Sequence, residues 1–245
     1  MLFCCAIFYQ LSGTTFVVKL MRYFALLLIF FPALGFAESS RTSTWLMSLS
    51  RIQFTDTVNA FVDIQPRFTL SDTPNGHDRT LDTLLLRGAL GYQITSNIGL
   101  YQGYAYIPTY DPKNVEHRSF QELFIKQPLN HGNALAHRIR FEQRWIDSAD
   151  EIAYRLRYFA RYTHPLSHWH KRLSLAINEE VFIHLNDTKN GPQSSFNQNR
   201  LFVGLNYRIN PSLAYEFGYQ NQYINVIKNS NVMNHILFLG VQTNY

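Results

Sequence analysis

From His137 to Tyr162 polar and apolar residues alternate one by one. Arg138, Arg140, Glu142 and Arg144 fall on one side; Ile139, Phe141 and Trp145 fall on the other, with Gln143 the one polar intruder. After the polar turn Asp147-Ser148-Ala149-Asp150 the alternation resumes, with Arg155, Arg157 and Arg161 opposed by Tyr154, Leu156, Tyr158 and Tyr162. A period of two predicts strand, turn, strand, because successive side chains of a strand point to opposite faces. A helix would set Arg138 beside Phe141 and Arg140 beside Arg144, which sorts nothing. The polar face is nearly all Arg, and the apolar face is rich in aromatics. Such a hairpin fits a membrane barrel, apolar outside and charged within. Taken alone, it also fits a soluble sandwich with a solvated Arg face.

The rest of the chain repeats the design. Candidate strands are Thr42–Phe54, Val58–Leu70, Leu81–Ile94, Ile98–Ile107, His117–Gln127 and Ala134–Ile146. They continue with Ile152–Thr163, Lys171–Leu185, Asn197–Ile209, Leu213–Ile224 and Met233–Tyr245. Soluble strands most often run about 5–6 residues, whereas a tilted strand needs ~9–11 to cross a bilayer. These segments favour the second. Tight turns at Thr95-Ser96-Asn97 and Asn210-Pro211-Ser212 alternate with longer polar connections at Pro108–Glu116, Asn186–Phe196 and Val226–Val232. Ser71–Thr80 is a further outer loop by the same parity, and Asp147–Glu151 a short one. Short turns at one rim and longer loops at the other are the outer-membrane pattern. In the last segment Leu237, Leu239, Val241 and Tyr245 share a face, and Tyr245 ends the chain. The expected fold is an all-β, antiparallel up-and-down transmembrane β-barrel of about 10–12 strands. Eleven segments are counted, and single-chain bacterial barrels have even strand numbers, so ten or twelve is expected.

The first 37 residues read as a secretory signal outside that fold. Met21-Arg22 precedes the apolar run Tyr23–Phe31, and Gly35 and Ala37 supply small residues before a cleavage point at Glu38. Met21 is read as the initiator, residues 1–20 as a mis-assigned start, and 38–245 as a single barrel domain. Cys4 and Cys5, the only cysteines, fall in the discarded part, which excludes disulfides and thiol chemistry from the mature chain. Loss of Lys19 and Arg22 leaves a net charge of about +3, too mild to argue for nucleic acid. The basic residues are 16 Arg and 6 Lys, a bias suited to planar, multidentate pairing in confined places.

Alternation assigns a charged ladder to the lumen: Asp63, Arg67, Arg87, Glu122, Arg138, Arg140, Glu142, Arg144, Arg155, Arg157, Arg161, Glu180, Arg200, Arg208 and Glu216. The interior of a small barrel is close to filled by side chains. The ladder is therefore either a structural salt-bridge core or, where Arg is in excess, a narrow anion-passing path. Trp45, Tyr92, Tyr104, Tyr106, Trp145, Trp169, Tyr207 and Tyr223 are expected in interfacial girdles. The alternative function is a lipid- or peptide-modifying hydrolase or acyltransferase, with His117 and Ser119 as a pair on one face at the outer rim. His164, His168 and His170 surround Trp169 at an opposite-rim turn with no nearby carboxylate, and no metal or cofactor is expected. Phosphate-loop, nucleophile-elbow and zinc motifs are absent.

Several stretches together resemble an uncharacterised, domain-of-unknown-function family of Gram-negative outer-membrane β-barrels. They are Trp45, Arg67, Gly103-Tyr104, Glu116-His117-Arg118 with Gln121, His137–Arg144, Arg155-Leu156-Arg157, Asn178 with Glu180-Val181-Phe182, and Asn199-Arg200 with Gly204-Leu205. The most specific part is the RxRxExR strand followed by RLR. The resemblance implies a secreted barrel with an Arg/Glu-patterned interior and brings no activity, substrate or catalytic residue. The expected location is the cell outer membrane. Expected partners are its lipid and lipopolysaccharide, and the barrel-assembly machinery through the strand ending at Tyr245.

Overall fold

Segments this long that alternate without pause must pair edge to edge, because each strand's backbone groups need partners along their whole length. The computed structural model describes residues 39–73, 76–226 and 231–245. The signal read in residues 1–37 lies outside the described residues. The strands are β1 (Ser39–Gln53), β2 (Val58–Thr73), β3 (Gly76–Thr95), β4 (Ile98–Tyr110), β5 (Lys113–Pro128) and β6 (Ala134–Ile146). They continue as β7 (Ala153–Pro165), β8 (Leu173–His184), β9 (Ser195–Asn210), β10 (Leu213–Ile224) and β11 (Val232–Asn244). The only helical element among the described residues is a 3₁₀ turn at Asn130–Gly132. Each strand pairs with its neighbours in sequence, and β1 closes on β11, so the sheet is a closed barrel of eleven strands.

The expected even number is therefore corrected. Consecutive strands are antiparallel, so in an odd-numbered barrel the first and last run the same way. β1 and β11 accordingly pair in parallel, in unbroken register from Ser39↔Val232 to Arg51↔Asn244. A parallel ladder is slightly weaker per residue but still leaves no open edge. Tyr245 extends the seam: its N–H donates to the Arg51 carbonyl and its carbonyl accepts from Gln53 N–H, both at 2.9 Å.

The contrast in loop lengths is also smaller than expected. Pro108–Glu116 is a tight hairpin at Asp111-Pro112 rather than a loop, and most of Ser71–Thr80 continues β2 and β3. On the opposite rim, Leu166–Arg172 is a seven-residue connection. Asn186–Phe196 is a genuine long connection, between His184 and Ser195.

Alternation then sorts the side chains. Outward rows carry exposed Leu46, Val62, Ile64, Leu90, Leu100, Ile139, Leu156, Val203, Leu205, Phe217, Leu237 and Leu239, with Tyr92, Tyr104, Tyr106, Trp145, Tyr154 and Tyr215 among them. Inward rows hold the core, which is mostly polar. Its apolar part is a cluster of Trp45, Ala176, Phe202, Ile236 and Phe238, with a second cluster of Leu85, Ala105 and Ile107. Aromatic rings fold flat over inward glycines. A Cβ at Gly103 would lie 2.1 Å from Phe120 Cζ, and one at Gly91 would lie 2.3 Å from the Tyr101 ring. Only a residue without a side chain lets these rings occupy the wall.

Candidate functional site

The inward rows of β5 to β8 converge on Glu142. This carboxylate is fully buried. It takes Arg155 and Arg157 at 2.6 Å each, Arg118 at 3.4 Å and Arg140 at 3.8 Å. Three further carboxylates extend the bundle. Glu180 accepts from Arg138 and Arg157 at 2.6 Å each. Glu122 holds Arg140 and Arg138. Glu116 takes Arg118 at 2.7 Å and binds Arg144 through both oxygens at 2.7 and 2.9 Å. Two pairs stand apart from the bundle: Arg161 forks onto Glu216, and Arg87 pairs with Asp63. Burial makes each charge costly, and forked, shared geometry is what offsets that cost. Aromatic faces complete the shell: Arg140 stacks on Phe120 at 4.2 Å and Arg157 on Phe182 at 4.4 Å.

Beside this bundle the lumen holds a cavity of about 870 Å³, lined by residues from both ends of the barrel: Thr109, Asn197 and Gln222 toward the long-loop rim, and Arg51, Lys126, Arg208 and Asn244 toward the short-turn rim. Arg140, Glu122 and Glu142 do not line it; they lie behind, in the wall. Two arginines on the cavity wall stand outside this pairing. Among the described residues Arg67 and Arg200 make no ion pair with a carboxylate. Both stack on Trp45, with guanidinium carbons 4.0 and 5.0 Å from the ring centroid. Arg67 donates Nε and Nη2 to Gln65 Oε1 at 3.1 and 2.6 Å. Arg200 Nε is buried without a hydrogen-bond partner.

Residues 42–234 match a family described as protein of unknown function (DUF2490). The chain belongs to this family. It is 35% identical over 188 residues to an uncharacterised protein of Methylorubrum extorquens, covering 76% of this chain and 80% of that protein. No solved structure matches the chain.

In this DUF2490 barrel the fifteen ladder residues all project inward. Asp63, Arg87, Glu122, Arg138, Arg140, Glu142, Arg144, Arg155, Arg157, Arg161, Glu180 and Glu216 are ion-paired; Arg67, Arg200 and Arg208 line the cavity and make no ion pair among the described residues. Sequence reasoning missed Arg118 and Glu116, although the alternation Glu116, Arg118, Phe120, Glu122 was there to be read. Trp45 is corrected: it is 5% exposed and faces the lumen, not an interfacial girdle. Its strand is apolar on both faces at this point, so alternation offers no contrast.

His117 and Ser119 share the outward face of β5, but each is engaged elsewhere. Tyr104 Oη hydrogen-bonds His117 Nδ1, and Gln102 Nε2 donates to Ser119 Oγ at 3.1 Å. Gln143 belongs to the same outward strip, donating to Gln121, which donates to Gln102, at 2.8 Å each. Thus the polar intruder is one rung of a side-chain amide ladder. Among the histidines near Trp169, His164 Nδ1 bonds Asn133 Oδ1 at 2.7 Å, and His170 Nδ1 accepts from the Arg172 N–H at 3.1 Å. Among the described residues no group of three or more His, Cys, Asp or Glu is placed to hold a metal ion.

Proposed function

We propose that this chain is an outer-membrane β-barrel whose Arg/Glu bundle braces the wall while the rest of the lumen forms a narrow, anion-favouring path. The supporting observation is the division of the interior. The inward carboxylates, including Glu116, Glu180 and Glu216 on the cavity wall, are taken up by arginine pairs, while among the described residues Arg67, Arg200, Arg208, Arg51 and Lys126, which line the same cavity from rim to rim, make no ion pair. Unpaired cations in a low-dielectric passage raise the local concentration of anions.

The membrane part of the reading rests on the outward face. Strands of 12 to 20 residues carry exposed aliphatic and aromatic rows around the barrel. Water would not favour that much exposed apolar surface, whereas lipid would. Lipid and lipopolysaccharide are then the immediate surroundings, and β11 with Tyr245 beyond it is the segment offered to the assembly machinery. None of the described helical segments is long and apolar enough to span a membrane, and a barrel crosses with strands instead.

The test is conductance of the refolded protein in a planar bilayer under a potassium chloride gradient, with heat-modifiable gel migration to certify the fold. Stepwise currents with an anion-favouring reversal potential are expected. Silence from a folded barrel would leave only the bracing role, and a cation-favouring potential would overturn the path. Location is tested separately: the protein should fractionate with outer membrane and resist extraction by carbonate.

A further inference from the structure

Most inward arginines spend their donors on carboxylates. Among the described residues Arg67 and Arg200 do not; both lie over Trp45, and Arg200 also lies over Phe182 at 4.6 Å. Both guanidinium carbons lie within 5.0 Å of the Trp45 centroid, and both side chains line the same cavity. A buried cation without a hydrogen-bonded counter-ion is costly, and two that line one cavity add to that cost. Stacking occupies the flat face of a guanidinium and leaves its in-plane N–H groups free. Arg67 satisfies Nε and Nη2 on Gln65, which leaves Nη1, and Arg200 Nε has no partner. A third donor lines the same cavity. Gln220 pairs with Ile236, a member of the Trp45 cluster, and its Nε2 is buried without a partner while its side chain lines the same cavity.

We infer that Arg67, Arg200 and Gln220 around Trp45 form a binding site for a free oxyanion of the phosphate or phosphate-monoester class. Two guanidinium groups offer forked N–H pairs that match the oxygens of a tetrahedral oxyanion and have no such match to a halide. Bound there, the oxyanion supplies the ion-pair partner that neither Arg67 nor Arg200 has among the described residues. The site lies inside the barrel, walled off from the outward apolar rows, so a soluble oxyanion reaches it and a membrane phospholipid headgroup does not. The inference builds on the lumen as a solute path and gives that path a selective step.

Trp45 is its own reporter. Replacing Trp145 and Trp169 by Phe leaves it the sole tryptophan. The refolded full chain in detergent, certified by heat-modifiable migration, is titrated with sodium phosphate and with sodium chloride at matched ionic strength. A saturable change in Trp45 emission is expected with phosphate, at a concentration at least about tenfold below any effect of chloride. Glycerol phosphate should compete, and an anionic phospholipid mixed into the micelle should not. Arg67→Gln and Arg200→Gln should each raise half-saturation by about tenfold or more. Arg172→Gln, which removes the same charge from an exposed turn, should leave it in place. No phosphate-dependent change in a folded barrel, or equal potency of chloride, overturns the inference without recourse to any site variant. Displacement by phospholipid overturns the choice of a free oxyanion. A phosphate signal from a barrel silent in the bilayer would remove the path and keep the site; anion currents with no phosphate signal would do the reverse.

Discussion

Glu142→Gln is the most exacting test of the bracing role, because four guanidinium groups share that one carboxylate. Their alternatives differ. Arg157 keeps Glu180 at 2.6 Å, Arg118 keeps Glu116 at 2.7 Å, and Arg140 keeps Glu122. Among the described residues Arg155 keeps only the Asn197 amide oxygen as a hydrogen-bond partner, at 3.5 Å. Glutamine preserves the shape, so no cavity term enters, and the cost is that of leaving one buried cation without its counter-ion. Breaking one side of a buried pair costs about 3–5 kcal/mol. With a urea slope of about 1–3 kcal/mol per molar, the unfolding midpoint should fall by at least about 1 M. Midpoints are read from the folded and unfolded bands on gels run without boiling. Adding Arg155→Gln removes the stranded charge and should recover part of the loss. An unmoved midpoint would refute the bracing role. A double variant no more stable than the sum of its singles would show that Arg155 and Glu142 do not act as a pair.

Gly103→Ala should cost about 1–3 kcal/mol by overpacking, since the new Cβ would lie 2.1 Å from Phe120, whose ring is held between Gly103 and Arg140; Phe120→Leu in the same background should recover it on the urea gel. Val203→Arg, in the outward row of β9, should cost about 2–4 kcal/mol if that face meets lipid, and an undiminished refolding yield in bilayers would argue against a lipid-facing wall. In the long loop after β8, the Ser194 N–H and hydroxyl both donate to Asp187 Oδ1, at 2.6 and 2.7 Å, and hold that carboxyl below its ordinary value. A depressed folded pKa means the contribution is fully present above the ordinary aspartate value and lost as pH falls through the depressed one. Intrinsic-rate-corrected amide exchange at Ser194 should therefore quicken only in acid, and Asp187→Ala should quicken it at neutral pH.

The alternation of Arg138 through Arg161 by itself determined a strand hairpin with a charged and an apolar face, because side-chain direction in a strand follows from sequence position alone. The same rule marked eleven segments and their approximate ends, while the preference of single-chain barrels for even numbers pointed away from eleven strands. It could not determine how the sheet closes: β1 and β11 are the farthest apart in sequence, and their parallel pairing depends on the whole strand count. Nor could it say which cations are compensated. Glu142 and Glu180 meet arginines from neighbouring strands, whereas Arg200 reaches across to Trp45 on β1, a contact set by the stagger and diameter of the closed barrel. His117 and Ser119 show the same limit on the outside, where facing the same way did not make them partners. Face is a local property of the chain, while partnership across a lumen exists only once the barrel has closed.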